Sequence, residues 1–302
     1  MTDRITPKLT FVLAEPNRKA FDAVMGAVPG GKSAMLLSEN KACDFKLAKI
    51  DMANALEKMG EIQMQFQEAL NTLEIKADFC VQDSALARKS LLICDMDSTL
   101  IGQECIDELA DFAGVKDRVS AITERAMRGE IGFEGALEER VGLLAGLDLS
   151  VLQRCFEERI TLNPGARTLC QTMKGSGAKT AIVSGGFTFF TQRVAELCGF
   201  ESHQANLLIE AKGHLTGKVG YPILGREAKY EALVKHSSNA PDQAIAIGDG
   251  ANDLAMIEAS GLGIAYYAKP AVAAAAHCAI NHTDLTSALY FQGYKESEFK
   301  TG

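Results

Sequence analysis

From residue 91 onward, four short apolar runs each stop on polar or glycine-rich residues. They are LLIC at 91–94, KTAIVSGG at 179–186, AIAIGDG at 244–250 and LGIAYY at 262–267, with segments of helical period between them. Short buried strands alternating with helices predict an α/β fold, a doubly wound parallel sheet with helices on both faces. Ligands of such sheets bind beyond the carboxyl ends of the strands, so the polar residues that close each run are expected to converge. One connection breaks the pattern. Residues 104–160 read as consecutive helices, too much chain for a simple crossover, and predict a helical cap inserted over the site.

At 302 residues the chain is long enough for two domains of ordinary size. Residues 8–82 carry the order βαββαβ, a ferredoxin-like α+β arrangement also used by amino-acid-binding ACT modules. The polar stretch 83–90 reads as the linker. The expected division is an ACT-like regulatory or dimerisation domain at 1–84 and a catalytic domain at 85–302, with its cap at 104–160. A packing domain without a ligand is an equal alternative for 1–84, and a homodimer through it is an expectation by analogy alone. The stretch LYFQG at 289–293 continues an amphipathic pattern and is read as part of the fold.

A formal charge of -8 argues against nucleic acid and anionic lipid as partners. Eight scattered cysteines form no C-x-x-C pair and no cluster with histidine, which predicts reduced thiols in a cytoplasmic protein. Neither the N-terminus nor AVAAAAHCAI at 271–280 is apolar over a membrane-spanning length. A soluble protein is expected.

The chemistry concentrates in CDMDST at 94–99. Positions i and i+2 of an extended backbone face the same side, so Asp95 and Asp97 would both leave the sheet's carboxyl edge, where like charges repel unless a cation neutralises them. Hard oxygen ligands favour Mg²⁺ over zinc. Alone, the pair would equally well be a surface turn with Asp97 capping the next helix. Further strand ends add Asp249 and Asp253 from IGDGANDLAMI, and the Ser184 hydroxyl with the Gly185 and Gly186 amides from IVSGGFTFFTQ. Glycine-flanked amides at a helix start form an anion cradle, although Ser-Gly-Gly is also a common tight turn. Lys229, early on a helix in GREAKYEAL, gains nothing from the helix dipole there, while a solvated helix lysine is the ordinary alternative.

These four elements in this order resemble the haloacid dehalogenase superfamily of phosphotransferases, whose pattern is D-x-D-x-[TV], then Ser/Thr, then Lys, then an acidic pair. The resemblance covers about 91–290. Within the superfamily, DMDSTLIGQECIDELA, FEGALEERVGLL, VSGGFT and GDGANDLAMI resemble the phosphoserine phosphatase family. That resemblance implies a Rossmann-like sheet of the haloacid dehalogenase type and a Mg²⁺-dependent hydrolysis of O-phospho-L-serine to L-serine and phosphate, the last step of serine synthesis. It implies Asp95 as nucleophile and Asp97 as general acid and base. Asp95, Asp249 and the main-chain carbonyl of Asp97 would hold the metal, with Asp253 acting around it. Ser184, Gly185 and Lys229 would hold phosphoryl oxygens, with Asn252 orienting the substrate or intermediate. Glu104 and Arg140 would read the ammonium and carboxylate of the substrate, and Met127 and Phe133 would supply apolar cap contacts or be ordinary core.

Two alternatives stand beside this one: a sibling phosphatase acting on another small phosphorylated acid, and a signalling protein with a persistent phosphoaspartate. The second would need no cap.

Overall fold

The computed structural model describes residues 4–30, 33–84 and 88–301. Residues 85–87 of the expected linker, and Gly31 of the glycine pair that breaks the chain before residue 33, lie outside the described residues.

The N-terminal domain runs β1 (Arg4–Ile5), β2 (Pro7–Leu13), α1 (Arg18–Ala27), β3 (Ser33–Ser38), β4 (Ala42–Lys46), β5 (Ile50–Asp51), α2 (Ala55–Thr72) and β6 (Ala77–Asp83). Its four-stranded antiparallel sheet has the order β3-β4-β2-β6, and β1 pairs with β5 beside it. The period-two alternation sends Leu9, Phe11, Leu13, Phe45 and Val81 against Phe21, Val24, Phe66 and Leu70 of the two helices. The segment EIQMQFQ at 61–67, where Ile62, Met64 and Phe66 alternate as a strand would while a longer window fits a helix, lies within α2, whose buried residues Phe66 and Leu70 are four apart.

The catalytic sheet is entirely parallel, in the order β14-β13-β12-β7-β8-β9. Its strands are β7 (Leu91–Cys94), β8 (Lys179–Phe187), β9 (Ser202–Asn206), β12 (Ala244–Gly248), β13 (Leu262–Tyr266) and β14 (Cys278–Ile280). Alternate residues bury opposite faces. Leu92, Cys94, Ile182, Ile245 and Ile247 join one core with α7 (Ala166–Gly175) and α8 (Thr188–Cys198). Leu91, Ile93, Ala181, Val183, Ala244 and Ala246 join the other with α9 (Arg226–His236) and α10 (Leu254–Ala259). Both faces are thus covered, as a parallel sheet requires. Strand order reverses between β7 and β12, and at that switch point the sheet opens a crevice beyond its carboxyl edge.

The cap consists of α3 (Cys105–Phe112), α4 (Lys116–Met127), α5 (Phe133–Gly142) and α6 (Ser150–Arg159). A hairpin of β10 (Leu208–Ala211) and β11 (His214–Val219) turns at Lys212-Gly213, both with positive φ, and packs on α5. The sequence runs identified four of the six parallel strands. β9 runs into ANLLIEAKGHLTGKV at 205–219, a stretch that reads in sequence as one hairpin turning at Lys212-Gly213, and β14 is three residues long behind an alanine run in α11 (Pro270–Ala275).

The N-terminal sheet has no solvated face in its middle. Thr10, Val12, Asp44, Asp78, Cys80 and Gln82, the residues turned away from α1 and α2, pack towards the catalytic domain's last segment and are buried. Leu289, Tyr290 and Phe291 of LYFQG, in α12 (Ser287–Phe291), are fully buried there, and Lys8 Nζ and Gln82 Nε2 donate to the Phe291 carbonyl at 3.1 and 2.5 Å. No helix among the described residues is long and apolar enough to cross a membrane.

Candidate active site

Asp95 is the first residue past β7, its amide still paired with the Ile247 carbonyl at 2.9 Å, and it is 5% exposed. Beyond it the chain curls back, so that the amides of Thr99, Leu100 and Ile101 all reach the Met96 carbonyl, with Ser98 left-handed at φ 54°. This tight loop separates the two carboxylates. Asp95 Oδ1 accepts from the Met96 amide at 2.7 Å and Oδ2 meets Lys229 Nζ at 2.8 Å. Asp97 Oδ1 instead accepts from the Cys105 amide at the start of α3, at 3.1 Å. Asp97 thus caps the start of α3 from a buried position rather than from a surface turn. On its other side, a methyl group at Gly186 would overlap Asp97 Oδ2, so only glycine permits the strand end of β8 to approach this closely.

Carboxylate oxygens of Asp95, Asp249 and Asp253 lie within 4.8 Å of one another. Lys229, 2% exposed, bridges two of them, at 2.8 Å from Asp95 and 2.6 Å from Asp253. One ammonium against three carboxylates leaves the cup short of positive charge. Burial, and then repulsion from Asp95, push the Asp249 carboxyl up to about 7. Burial lifts Asp253 to about 7 against the pull of Lys229. Lys229 is pressed towards neutrality by burial, yet Asp253 and then Asp95 hold it above its ordinary value and therefore cationic. The donor set is all oxygen, with no thiolate or imidazole in it, and suits a hard divalent cation that would supply the missing charge. Thr99, fully buried, donates to Asp249 Oδ1 at 3.0 Å and fixes that carboxylate. Its signal was present in the D-x-D-x-[TV] pattern, although the sequence assigned it no role.

Asp97 differs from its neighbours. Burial, then the charges of Glu104 and Asp95, hold its carboxyl well above the usual carboxylate range, which favours its protonated form. Glu104 precedes α3, keeps a solvent-accessible edge, and accepts from Ser98 Oγ at 2.7 Å. Its enclosed side raises its carboxyl, against the Ser98 hydrogen bond, and repulsion from Asp95 and Asp107 adds to the rise. Arg140, on α5, feels the charges of Asp107 and Glu104 and is half-buried. Its Nε donates to the Ala136 carbonyl at 3.1 Å and its Nη1 to Thr123 Oγ1 at 3.4 Å, so it pairs with no carboxylate on its own helix.

The anion cradle lies across from the acids. Ser184 is 1% exposed, and its Oγ accepts from the Gly186 amide at 2.9 Å. The Asn252 side chain faces Gly185 from the β12–α10 connection. Phe133, at the start of α5, lies against Gly185 and Gly225, so the cap touches the cradle directly. Met127 is 67% exposed, with its sulfur 4.0 Å from Lys269 Nζ. It is not core. The structure thus brings Asp95, Asp97, Ser184, Gly185, Lys229, Asn252, Asp249 and Asp253 to one crevice, with Glu104 and Arg140 on its cap side.

Comparison with known proteins agrees with this geometry. Residues 92–258 match the family model described as haloacid dehalogenase-like hydrolase, and residues 227–291 match a second of the same description. A phosphoserine phosphatase from Streptomyces coelicolor is 43% identical over 262 residues, 84% of this chain and 64% of that protein. The chain therefore spans a little under two thirds of that relative's length. A HAD family hydrolase from Salmonella enterica serovar Typhi superposes with a TM-score of 0.82 at 30% identity, over 95% of this chain and 98% of that one. A substrate-bound phosphoserine phosphatase complex superposes with a TM-score of 0.62 at 38% identity, over 68% of this chain and 98% of that one.

Proposed function

The chain belongs to the haloacid dehalogenase-like hydrolase family, and from that premise we propose that it is a Mg²⁺-dependent phosphoserine phosphatase, hydrolysing O-phospho-L-serine to L-serine and phosphate. The observation that carries the reading is Asp97, buried beside Glu104 with its carboxyl raised, next to an Asp95 ion-paired with Lys229, two carboxyl groups whose surroundings suit them to opposite tasks. A longer relative named phosphoserine phosphatase and a solved, substrate-bound one support the substrate.

In this mechanism the Asp95 carboxylate attacks phosphorus and becomes an aspartyl phosphate as the bond to the serine oxygen breaks. Asp97 gives its proton to that leaving oxygen. It then removes a proton from the water that attacks the aspartyl phosphate, releasing inorganic phosphate and restoring Asp95. Lys229, anchored by Asp253, and the Ser184 hydroxyl with the Gly185 amide stabilise the equatorial oxygens. Asn252 orients the phosphorylated group beside Gly185. Asp95 and Asp249, with the Asp97 main-chain carbonyl, would hold Mg²⁺, whose charge offsets repulsion between carboxylate and phosphate. Glu104 takes the substrate ammonium and Arg140 its carboxylate.

A panel of small phosphomonoesters tests the substrate. Phosphoserine is expected to exceed analogues lacking the amino-acid group, and Glu104→Gln or Arg140→Ala to erase that preference by about tenfold or more in kcat/KM. Equal rates across the panel in the unmodified enzyme would make it a phosphatase of some other small phosphorylated acid.

The same proposal includes residues 1–84 as an ACT-like regulatory or dimerisation domain within a homodimer. Its ferredoxin-like strand order supports this, and sedimentation and turnover with and without L-serine test it. The eight buried free thiols support a cytoplasmic setting, and the net charge of -8 supports a small-molecule substrate rather than nucleic acid.

A further inference from the structure

β8 and β9 pair regularly up to Val183↔Gln204, and the next pair is Phe187↔Asn206. Four positions on β8 are thus matched by two on β9, and Ser184, Gly185 and Gly186 bulge out of the ladder. Bulges beside active sites re-aim a side chain, but they also strip backbone groups of their ladder partners. Here a side chain fills the gap. Asn206 is 1% exposed, and its Nδ2 donates to the Gly185 carbonyl at 2.8 Å. The rest of the amide is occupied by Leu224: Oδ1 accepts from its amide at 2.7 Å, and Nδ2 faces its carbonyl at 3.4 Å. These partners fix the orientation of the amide, because a flip would set N–H against N–H and oxygen against two carbonyls.

The Gly185 carbonyl and the Gly186 N–H belong to one planar peptide and point in opposite directions. Holding the carbonyl on Asn206 therefore aims the N–H at Ser184 Oγ, which it meets at 2.9 Å. A hydroxyl has one proton and two lone pairs. With a lone pair engaged by Gly186, the Ser184 proton is directed away from the bulge.

We infer that Asn206 is a positioning residue: through the Gly185–Gly186 peptide it orients the Ser184 hydroxyl so that its proton faces the phosphoryl oxygen. This rests on the proposed role of Ser184 in phosphoryl binding.

The test is a double-mutant cycle. Asn206→Asp keeps the acceptor for the Leu224 amide but sets an oxygen against the Gly185 carbonyl. Asn206→Ala removes all three contacts and serves if the first variant does not fold. Each is made in the unmodified chain and in Ser184→Ala, with kcat/KM for phosphoserine and the inhibition constant of inorganic phosphate measured in all. The Asn206 substitution is expected to lower kcat/KM about 10- to 100-fold with Ser184 present and less than about 3-fold in its absence, with the same coupling in phosphate affinity. Equal losses in both backgrounds, or no loss in either, would overturn the inference. If the unmodified chain does not turn over phosphoserine, the proposed substrate fails. Asn206 is then judged by the same cycle on the rise in melting temperature that phosphate produces, where coupling supports the inference and additivity overturns it.

Discussion

Asp78 and Asp95 are both nearly buried, at 3% and 5% exposed, yet one lies in a finished environment and the other in an unfinished one. Asp78, on β6, accepts from the amides of Asn281, His282 and Thr283 at 2.9, 3.1 and 2.8 Å and from the Thr283 hydroxyl at 2.6 Å. Fixed donors from the other domain satisfy its charge within the fold. Asp95 has one amide and one shared ammonium, with Asp249 and Asp253 crowding it. A buried carboxylate surrounded by donors is a fastener between domains, whereas one surrounded by carboxylates is arranged for a cation and an anionic substrate.

The contrast is broken most forcefully at Asp95. Asp95→Asn is expected to lower phosphate release from phosphoserine by three or more orders of magnitude, roughly, while leaving the melting temperature unchanged or higher, since it removes a repelling charge. A variant that melts early would place Asp95 with the fasteners. The converse holds for Asp78→Ala. Leaving three backbone donors unpaired between domains should cost about 3 kcal/mol in urea denaturation, with turnover below the transition close to normal. Lost turnover in a fully folded Asp78→Ala protein would show that the two regions are not separable in role.

A third expectation follows from proton linkage. Asp249 and Asp253 titrate near 7 in the fold against an ordinary value of 3.8, so the folded protein binds more protons than the unfolded chain between these limits. Their contribution to stability is present below about 4 and lost as pH rises through about 7. Chelator-treated protein should therefore melt lower at pH 8 than at pH 5, with a flatter dependence in Asp249→Asn and with Mg²⁺ restoring the loss at pH 8. An identical slope in Asp249→Asn would contradict the crowding argument. The smallest effect is expected from Thr99→Val, which keeps the shape but frees Asp249 from its 3.0 Å hydrogen bond. The Mg²⁺ concentration for half-maximal turnover should rise a few-fold at constant limiting rate, and no rise would deny Thr99 its positioning role.

The sequence made the site more legible than its supports, for a physical reason. Asp95, Ser184, Lys229 and Asp249 each stand at the end of an apolar run or the start of a helix, so local chain chemistry marks them before folding is known. Asn206 stands at such an end too, but an isolated asparagine is ordinary turn chemistry, and the bulge that gives it work exists only when β8 and β9 pair. The outer face of the N-terminal sheet is hard to read for a related reason. Thr10, Asp44, Asp78 and Gln82 alternate with apolar residues as a solvated face would, yet they are buried: Asp44 takes Thr10 and Lys8 within the sheet, while Asp78 and Gln82 take partners from a segment some 200 residues later. β14 was missed because three residues carry no period.

The most direct test of the central claim is to quench the reaction within its first turnover, reduce the trapped acyl phosphate with tritiated borohydride, which releases phosphate and turns the phosphorylated aspartate into tritiated homoserine, and locate the tritium. The account predicts tritium at position 95 alone, present only while substrate is being turned over, gone once the substrate is consumed, and absent from Asp95→Asn. Label on another residue, none at all during active turnover, or an acyl phosphate that persists for minutes would contradict it.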